Sequence, residues 1–357
     1  MGIIQDLFRT TRIPQSLHSD RLKAVEDIRA CRTKLLGGVK TICGDCGHVT
    51  YRYKSCGNRH CPSCQAMKQA SWVEERKSEA LNVPYYHVVF TVPSEMNPSF
   101  LEKPAEMYNI LFRAASESLL TLGKDPKWLG GTLGFIGVLH SWSANLNFHP
   151  HLHVILVGCG LDKWKNPVFP KNGSFFIPVK VLGKMFRGKF LSFMKKADLP
   201  YAPSLYDQNW VVFLKDTADC GEHIVNYLGR YTHRIAISDA RILSVTEENV
   251  TFSYKDYRDS QIKKMTLSRE EFIRRYLLHV LPKRFRKVRF YGFLASRCRA
   301  KSLKLLRIAL RCPPRKNRFK GKSAVEIYEL ITGKNLRCCP RCGSTDIYIL
   351  EVNPYPF

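Results

Sequence analysis

Residues 148–158 read FHPHLHVILVG. Histidines stand at positions 149, 151 and 153 and run directly into Val154-Ile155-Leu156-Val157, closed by Gly158. A short apolar run rich in β-branched residues and bounded by a turn former is the pattern of a buried strand. Strand side chains alternate between faces, so His151 and His153 share a face, with Cα atoms about 6.6 Å apart. Two imidazoles at that spacing can converge on one ion. His149 has the same parity, but its Cα stands roughly 13 Å from that of His153, too far for one ion to take all three. Pro150 has no N–H for a ladder and marks the start of the strand. His151 and His153 are therefore the candidate metal ligands, with His149 at the rim. Packing is the competing use of an isolated H-x-H pair.

The flanking sequence supplies partners for this strand. TLGFIGVLHSWS (132–143) reads as a second strand, and polar NLN (145–147) makes a hairpin between the two. YYHVVFTVP (85–93) reads as a third, closed by Pro93. Helical spacing covers 14–34, with Ser19 or Asp20 as N-cap, and also 103–122 and 177–197. WVVFL (210–214) is a short strand, and RILSVTEENVTFSYKDY (241–257) alternates like a hairpin around Glu248 and Asn249. The region beyond residue 268 reads as mostly helical. Strands and helices mixed around a hairpin indicate an α+β fold with an antiparallel sheet.

The chain's charge points to a polyanionic partner. Its 357 residues carry 57 Lys and Arg against 30 Asp and Glu, a net +27. Residues 271–320 alone hold 17 basic side chains and one acid, Glu271. Phe272, Tyr276, Phe285, Phe290, Tyr291 and Phe293 are interleaved among them. Basic side chains neutralise phosphates, and aromatic faces stack on bases. Arg284, Arg286, Lys287, Arg289 and Arg297 are the candidate DNA contacts. No apolar run reaches the roughly 18 residues that span a bilayer. The N-terminus lacks a signal peptide's apolar segment. No lipidation motif or long basic amphipathic helix suggests a membrane surface. A cytoplasmic protein without a membrane partner is expected.

Thirteen cysteines in such a chain indicate metal rather than disulfides. Cys43-Gly-Asp-Cys46 and Cys61-Pro-Ser-Cys64 are two C-x-x-C pairs with fourteen residues between them. Four thiolates from two facing turns make a closed tetrahedral zinc site, structural rather than catalytic. A small loop-rich module of this kind depends on its metal to fold. Cys31, His48, Cys56 and His60 lie in the same segment, and either a second zinc or packing accounts for them. CCPRCG (338–343) is half a knuckle without a visible partner. Cys159, Cys220, Cys298 and Cys312 are isolated and read as core or neutral positions.

GEHIVNYLGRYTHR (221–234) has helical spacing that puts Tyr227 and Tyr231 one turn apart on a common face. An aromatic core stripe is the commoner use of that spacing, but the neighbours Glu222, His223, Asn226, Arg230, His233 and Arg234 are polar. HPHLH followed by YLGRYTHR resembles the two-tyrosine rolling-circle transposases of bacterial insertion sequences. These belong to the HUH (His–hydrophobic–His) endonuclease superfamily, and the closest likeness is to the insertion sequence ninety-one family. SCGNRHCPSCQ (55–65), YYHVVFTVP and LPKRFRKVRFYGFLASR (281–297) extend the likeness over most of residues 25–310. In the last of these, Phe290 stands where many relatives have histidine, a departure expected to bear on DNA contact.

The resemblance implies an HUH core at 83–267, a zinc-ribbon-like domain at 1–82 before it, and a basic DNA-binding region at 268–357 after it. It implies that His151 and His153 hold Mg²⁺ or Mn²⁺ and that Tyr227 and Tyr231 are nucleophiles. The implied activity nicks and rejoins single-stranded DNA at element ends and target site through a 5′-phosphotyrosine. The host replication machinery is the implied partner, and the bacterial nucleoid the implied place of action. The ion needs a third protein ligand. If the hairpin turns around Asn145 and Leu146, His140 lies opposite His151 on the same face. His87 is the rival, and a slip of one residue would turn His140 away. A plasmid or phage replication initiator would share the chemistry. A non-enzymatic zinc-dependent nucleic-acid-binding protein would not need it. Charge and the cysteine pairs disfavour a small-molecule metallohydrolase.

Overall fold

The structure, a computed structural model, describes residues 2–14, 16–171, 177–217, 225, 229, 232, 236–256 and 258–355. In chain order these form α1 (Ile3–Thr10), α2 (Ser19–Ala30), β1 (Gly38–Cys43), β2 (Val49–Tyr53) and α3 (Gln65–Glu79). Next come β3 (Tyr85–Thr91), α4 (Asn97–Glu102), α5 (Pro104–Lys124), β4 (Thr132–Trp142), β5 (Phe148–Leu161) and β6 (Pro167–Val168). α6 (Val179–Lys196), β7 (Val212–Thr217), β8 (Ile242–Val245), β9 (Asn249–Lys255), β10 (Ile262–Ser268) and α7 (Arg269–Leu278) follow. β11 (Val288–Gly292), α8 (Arg299–Ala309), α9 (Ala324–Thr332) and β12 (Ile347–Val352) complete the order. Among the described residues no helix is long and apolar enough to cross a membrane.

The chain divides into two compact units, both discontinuous. One comprises Met1–Trp72, His233–Val280 and Arg318–Phe357; the other comprises Val73–Thr232 and Leu281–Asn317. This division differs from the consecutive regions 1–82, 83–267 and 268–357 expected above. The reason is strand pairing across long sequence distances: β12 joins β1 in the first unit, and β11 joins β4 in the second. Beyond residue 268 the regular elements are the helices α7, α8 and α9 with the strands β11 and β12.

The first unit holds two three-stranded antiparallel sheets, β12-β1-β2 and β10-β9-β8. Ile4, Leu7 and Phe8 of α1 and Val25 and Ile28 of α2 are buried. The N-cap of α2 is His18, whose side chain accepts from the Asp20 N–H, rather than Ser19 or Asp20. Phe272 and Tyr276 of α7 are fully buried, Tyr276 edge-on to Phe8 with centroids 5.1 Å apart.

The second unit is built on an antiparallel sheet of order β11-β4-β5-β3-β7, with β6 paired to β5. Its strands are apolar on both faces. Tyr86, Val88, Phe90, Leu139, Leu152, Val154 and Leu156 join residues of α5 and α6 in the main core. The α+β class expected from the sequence is the class observed. Phe186 of α6 is wholly buried against Phe90 (4.9 Å), Trp210 (5.5 Å) and Phe190 (5.9 Å). Truncating such a ring leaves a cavity, so Phe186→Ala should cost about 3–5 kcal/mol, read as a lower denaturant midpoint.

β4 and β5 pair with His140 opposite His151, the expected pair, although the turn is centred on Asn145 rather than between Asn145 and Leu146. The register shifts between His140/His151 and Trp142/Phe148, so His149 and Pro150 together oppose Ser141. Pro150 therefore does not start the strand, which begins at Phe148. It sits in this bulge, where a missing N–H costs the ladder least.

Candidate active site

The histidines occupy the sheet face opposite α5 and α6. Paired residues share a face, and the pairs Thr91–His151, Val89–His153, Val138–His153 and His140–His151 put the imidazoles on one side. His140, His151 and His153 bring one ring nitrogen each within 4.8 Å of one another. Ring centroids are 4.3 Å apart for His140–His153, 4.8 Å for His151–His153 and 5.3 Å for His140–His151. His140 and His153 are buried, and His151 is half-buried.

Neighbouring groups orient the rings. His151 Nδ1 donates to the His149 carbonyl oxygen at 2.7 Å, leaving its Nε2 lone pair for a ligand role. His149 thus contributes through its backbone. His153 Nδ1 lies 2.8 Å from His87 Nε2, with the two rings nearly parallel at 5°. His87 lies outside the three-imidazole cluster and beside it, a geometry for orienting His153 rather than sharing an ion. Desolvation lowers the pKa of His151 and of His87 to about 4, with Lys215 adding to the effect on His87. It holds His153 well below its usual value. His87, His151 and His153 are therefore neutral at pH 7, the form that binds metal. Three imidazoles on one side of an ion leave room for substrate oxygens.

β11 delivers basic side chains to the same end of the sheet. The Lys287 carbonyl accepts from the Leu139 N–H, beside His140. Lys287 Nζ lies 4.8 Å from the centre of the Trp142 ring, which itself stacks on His140 at 4.7 Å. Arg284, Arg286 and Arg297 are exposed. Arg289 is half-buried: its guanidinium lies on Phe112 (4.0 Å) and donates to Asn109 Oδ1 (2.6 Å). The interleaved aromatics are not a stacking platform. Phe272, Tyr276, Phe285 and Phe293 are buried, and Tyr291 stacks on Phe135 at 5.0 Å. Alternation of cations with aromatics here reflects amphipathic elements whose rings face inward. Phe290, read above as bearing on DNA contact, lies between the guanidinium groups of Arg76 (5.0 Å) and Arg299 (4.8 Å).

Tyr227 and Tyr231 lie outside the described residues, as do their polar neighbours named above. Val225, Gly229 and Thr232 of the same stretch are described and helical. Val225 is buried and lines a cavity with Tyr85, Ile136, Ile155 and Val157. Ile136 pairs with Ile155, two residues beyond His153, so Val225 stands over the imidazole face of the sheet.

The four cysteines expected to share one zinc are divided between two clusters. Cys61 and Cys64 meet Cys31 and Cys56, whereas Cys43 and Cys46 meet Cys339 and Cys342. His48 and His60 belong to neither cluster. His60 Nε2 instead accepts from Arg59 Nε at 3.3 Å. The correction has a geometric cause: the turn at Cys43–Cys46 caps β1, and β1 pairs with β12, which follows the C-terminal C-x-x-C.

Comparisons with known proteins bear on both regions. Residues 134–302 match a family described as "Putative transposase", and residues 3–92 one described as "Transposase zinc-binding domain". "Putative transposase y4qJ" of Sinorhizobium fredii (strain NBRC 101917 / NGR234) is 38% identical over 360 residues, covering 94% of this chain and 90% of its own. This chain belongs to the IS91 family of transposases. The "Transposase for insertion sequence element IS801" of Pseudomonas savastanoi pv. phaseolicola is 31% identical over 299 residues, 79% of this chain and 72% of its own. Among solved structures, the conjugative relaxase TrwC in complex with oriT DNA, metal-bound, aligns over 54% of this chain and 70% of its own. Identity there is 15% and the TM-score 0.32.

For the transposase, one feature escaped sequence reading. The pairing of Cys339 and Cys342 with Cys43 and Cys46 was visible only as an unmatched CPRCG resembling CGDCG. His87, named above as the rival third ligand, stands beside His153 and outside the group of three.

Proposed function

We propose that this transposase nicks and rejoins single-stranded DNA at element ends and target site through a covalent 5′-phosphotyrosine. The observation that carries the reading is the convergence of His140, His151 and His153 on one sheet face, with Val225 of the tyrosine-bearing stretch over that face. The donor set suits a divalent ion: three converging imidazoles with open positions, favouring Mn²⁺ somewhat over Mg²⁺. When bound, that ion supplies charge stabilisation at the phosphoryl oxygens and fixes the scissile phosphate.

The protein's own groups do the rest. The Oη of Tyr227 or Tyr231 attacks phosphorus and loses its proton, the bond from phosphorus to the 3′-oxygen breaks, and that oxygen leaves as a hydroxyl. A phenol with pKa about 10 is a poor nucleophile unless aligned and deprotonated. Because phenolate is a workable leaving group, a later 3′-hydroxyl reverses the step without ATP. A second tyrosine one turn away allows a second cleavage while the first strand is held. Arg284, Arg286, Lys287 and Arg297 contact phosphates, while Arg289 supports them from within the fold. Cys31, Cys56, Cys61 and Cys64 hold the structural zinc of the zinc-binding domain. The host replication machinery supplies synthesis. A replication initiator would use the same chemistry, and the names of the relatives favour the transposase.

The test is incubation with single-stranded oligonucleotides of element-end sequence and Mn²⁺. A denaturation-resistant, 5′-linked adduct that EDTA prevents is expected; no adduct with any element-end sequence would overturn the reading. His87→Ala should weaken divalent-ion affinity about 10–100-fold, measured by titration calorimetry, through loss of the partner that orients His153.

A further inference from the structure

The two ends of the chain carry matching turns. In Cys43-Gly-Asp-Cys46-Gly47, the Gly47 N–H donates to the Cys43 carbonyl at 3.0 Å and the Cys43 N–H to the His48 carbonyl at 3.0 Å. In Cys339-Pro-Arg-Cys342-Gly343, the Gly343 N–H donates to the Cys339 carbonyl at 3.0 Å and the Cys339 N–H to the Ser344 carbonyl at 2.7 Å. Gly47 (φ 66°) and Gly343 (φ 78°) both take the left-handed conformation that such a turn needs and that side chains resist. Each turn aims its two sulfurs the same way, and the turns face one another. Cys43 Sγ lies 3.6 Å from Cys342 Sγ, and Cys46 Sγ 3.6 Å from Cys339 Sγ.

We propose that Cys43, Cys46, Cys339 and Cys342 form a second structural zinc site, separate from the cluster of Cys31, Cys56, Cys61 and Cys64. It clasps the C-terminal segment to the N-terminal strand pair. Two of its ligands lie beyond the stretch matched as a zinc-binding domain, which ends at residue 92. Tetrahedral zinc with Zn–S of about 2.3 Å sets its sulfurs roughly 3.8 Å apart, close to the separations here. A disulfide needs sulfurs at about 2.05 Å, and all four cysteines are free. The Arg341 N–H donates to Cys339 Sγ at 3.4 Å, the kind of contact that stabilises a coordinated thiolate.

The packing around β12 gives the site a purpose. β12 pairs along its whole length with β1, from Cys43–Ile347 to Gly38–Val352, and the Gly44 N–H adds a bond to the Asp346 carbonyl. Yet no side chain of β12 is fully buried, and Tyr348, Ile349 and Leu350 are more than half exposed. A strand with no core of its own, whose cysteine turn lies 299 positions from the one it faces, must offset a large closure entropy. Metal ligation is how modules with too little core meet that cost. Cys338 is the natural control: adjacent in sequence, it stands outside the cluster and accepts from Asn335 Nδ2 at 3.1 Å.

The experiment counts zinc in the purified full-length chain by elemental mass spectrometry and does not depend on the nuclease reading. Wild type and Cys338→Ser are expected to carry two zinc ions per chain, and Cys339→Ser/Cys342→Ser one. The double variant should also be cut by protease within residues 333–357 at least tenfold faster than wild type, with circular dichroism otherwise retained. One zinc in wild type, or two in the double variant, overturns the proposal. If the double variant does not fold, the wild-type count decides alone.

Discussion

Tyr227→Phe/Tyr231→Phe forms no covalent adduct with element-end DNA, yet binds the same single strand with unchanged affinity. Each substitution removes one oxygen and leaves the ring, so packing is preserved while the nucleophile is lost. Loss of a nucleophile that a mechanism passes through drops turnover by on the order of a thousandfold or more, below detection in a gel assay. On the proposed reading binding rests instead on Lys and Arg contacts to phosphate, which the change does not touch. Single variants separate the roles: one tyrosine supports first-strand cleavage alone, and the other is needed for completed strand transfer. If the double variant still forms the adduct, the nucleophile lies elsewhere. If it loses DNA binding along with the adduct, the ring hydroxyls are binding groups.

His151→Ala and His153→Ala each lose metal-dependent cleavage by about 10²–10⁴-fold, the size of a transition-state charge worth several kcal/mol. His140→Ala falls in the same range, because one nitrogen from each of the three rings lies within 4.8 Å of the others. On the proposed reading the three share one ion, so a double variant is scarcely worse than a single one. DNA binding in the absence of divalent ions should remain within about twofold of wild type, since cation contacts dominate affinity. Cleavage rates across a Mn²⁺ titration check this: a ligand variant raises the half-saturating concentration, whereas a core defect lowers the amount of folded protein at every concentration. If His140→Ala leaves the Mn²⁺ dependence unchanged, the cluster is not the ion's site.

How far the site was legible follows from how local each interaction is. His140 opposes His151 only because a bulge adds a residue to β5: beside the turn Trp142 pairs with Phe148, a register that would by itself set His140 opposite Pro150. The bulge at Pro150 was not legible, because an extra residue on one strand is seen only when the partner strand is in view. The aromatics of residues 271–320 were misplaced because composition reports that rings and cations alternate but not which way each faces. Phe272, Tyr276, Phe285 and Phe293 turned inward, and Arg289 followed them. Phe290, expected to bear on DNA contact, lies between the guanidinium groups of Arg76 and Arg299.

By itself the sequence determined the α+β class, the shared face of His151 and His153, the excess of basic side chains and the presence of thiolate knuckles, all legible without the fold. Only the tertiary structure decided which knuckle faces which and that His87 stands beside His153. It alone brought β11 alongside His140's strand and β12 alongside β1. Those pairings join residues from distant parts of the chain, and a C-x-x-C turn or a strand edge is chemically competent toward any partner that the fold brings within reach. Periodicity records that a group is to be buried or ligated, and the three-dimensional path of the chain selects its counterpart.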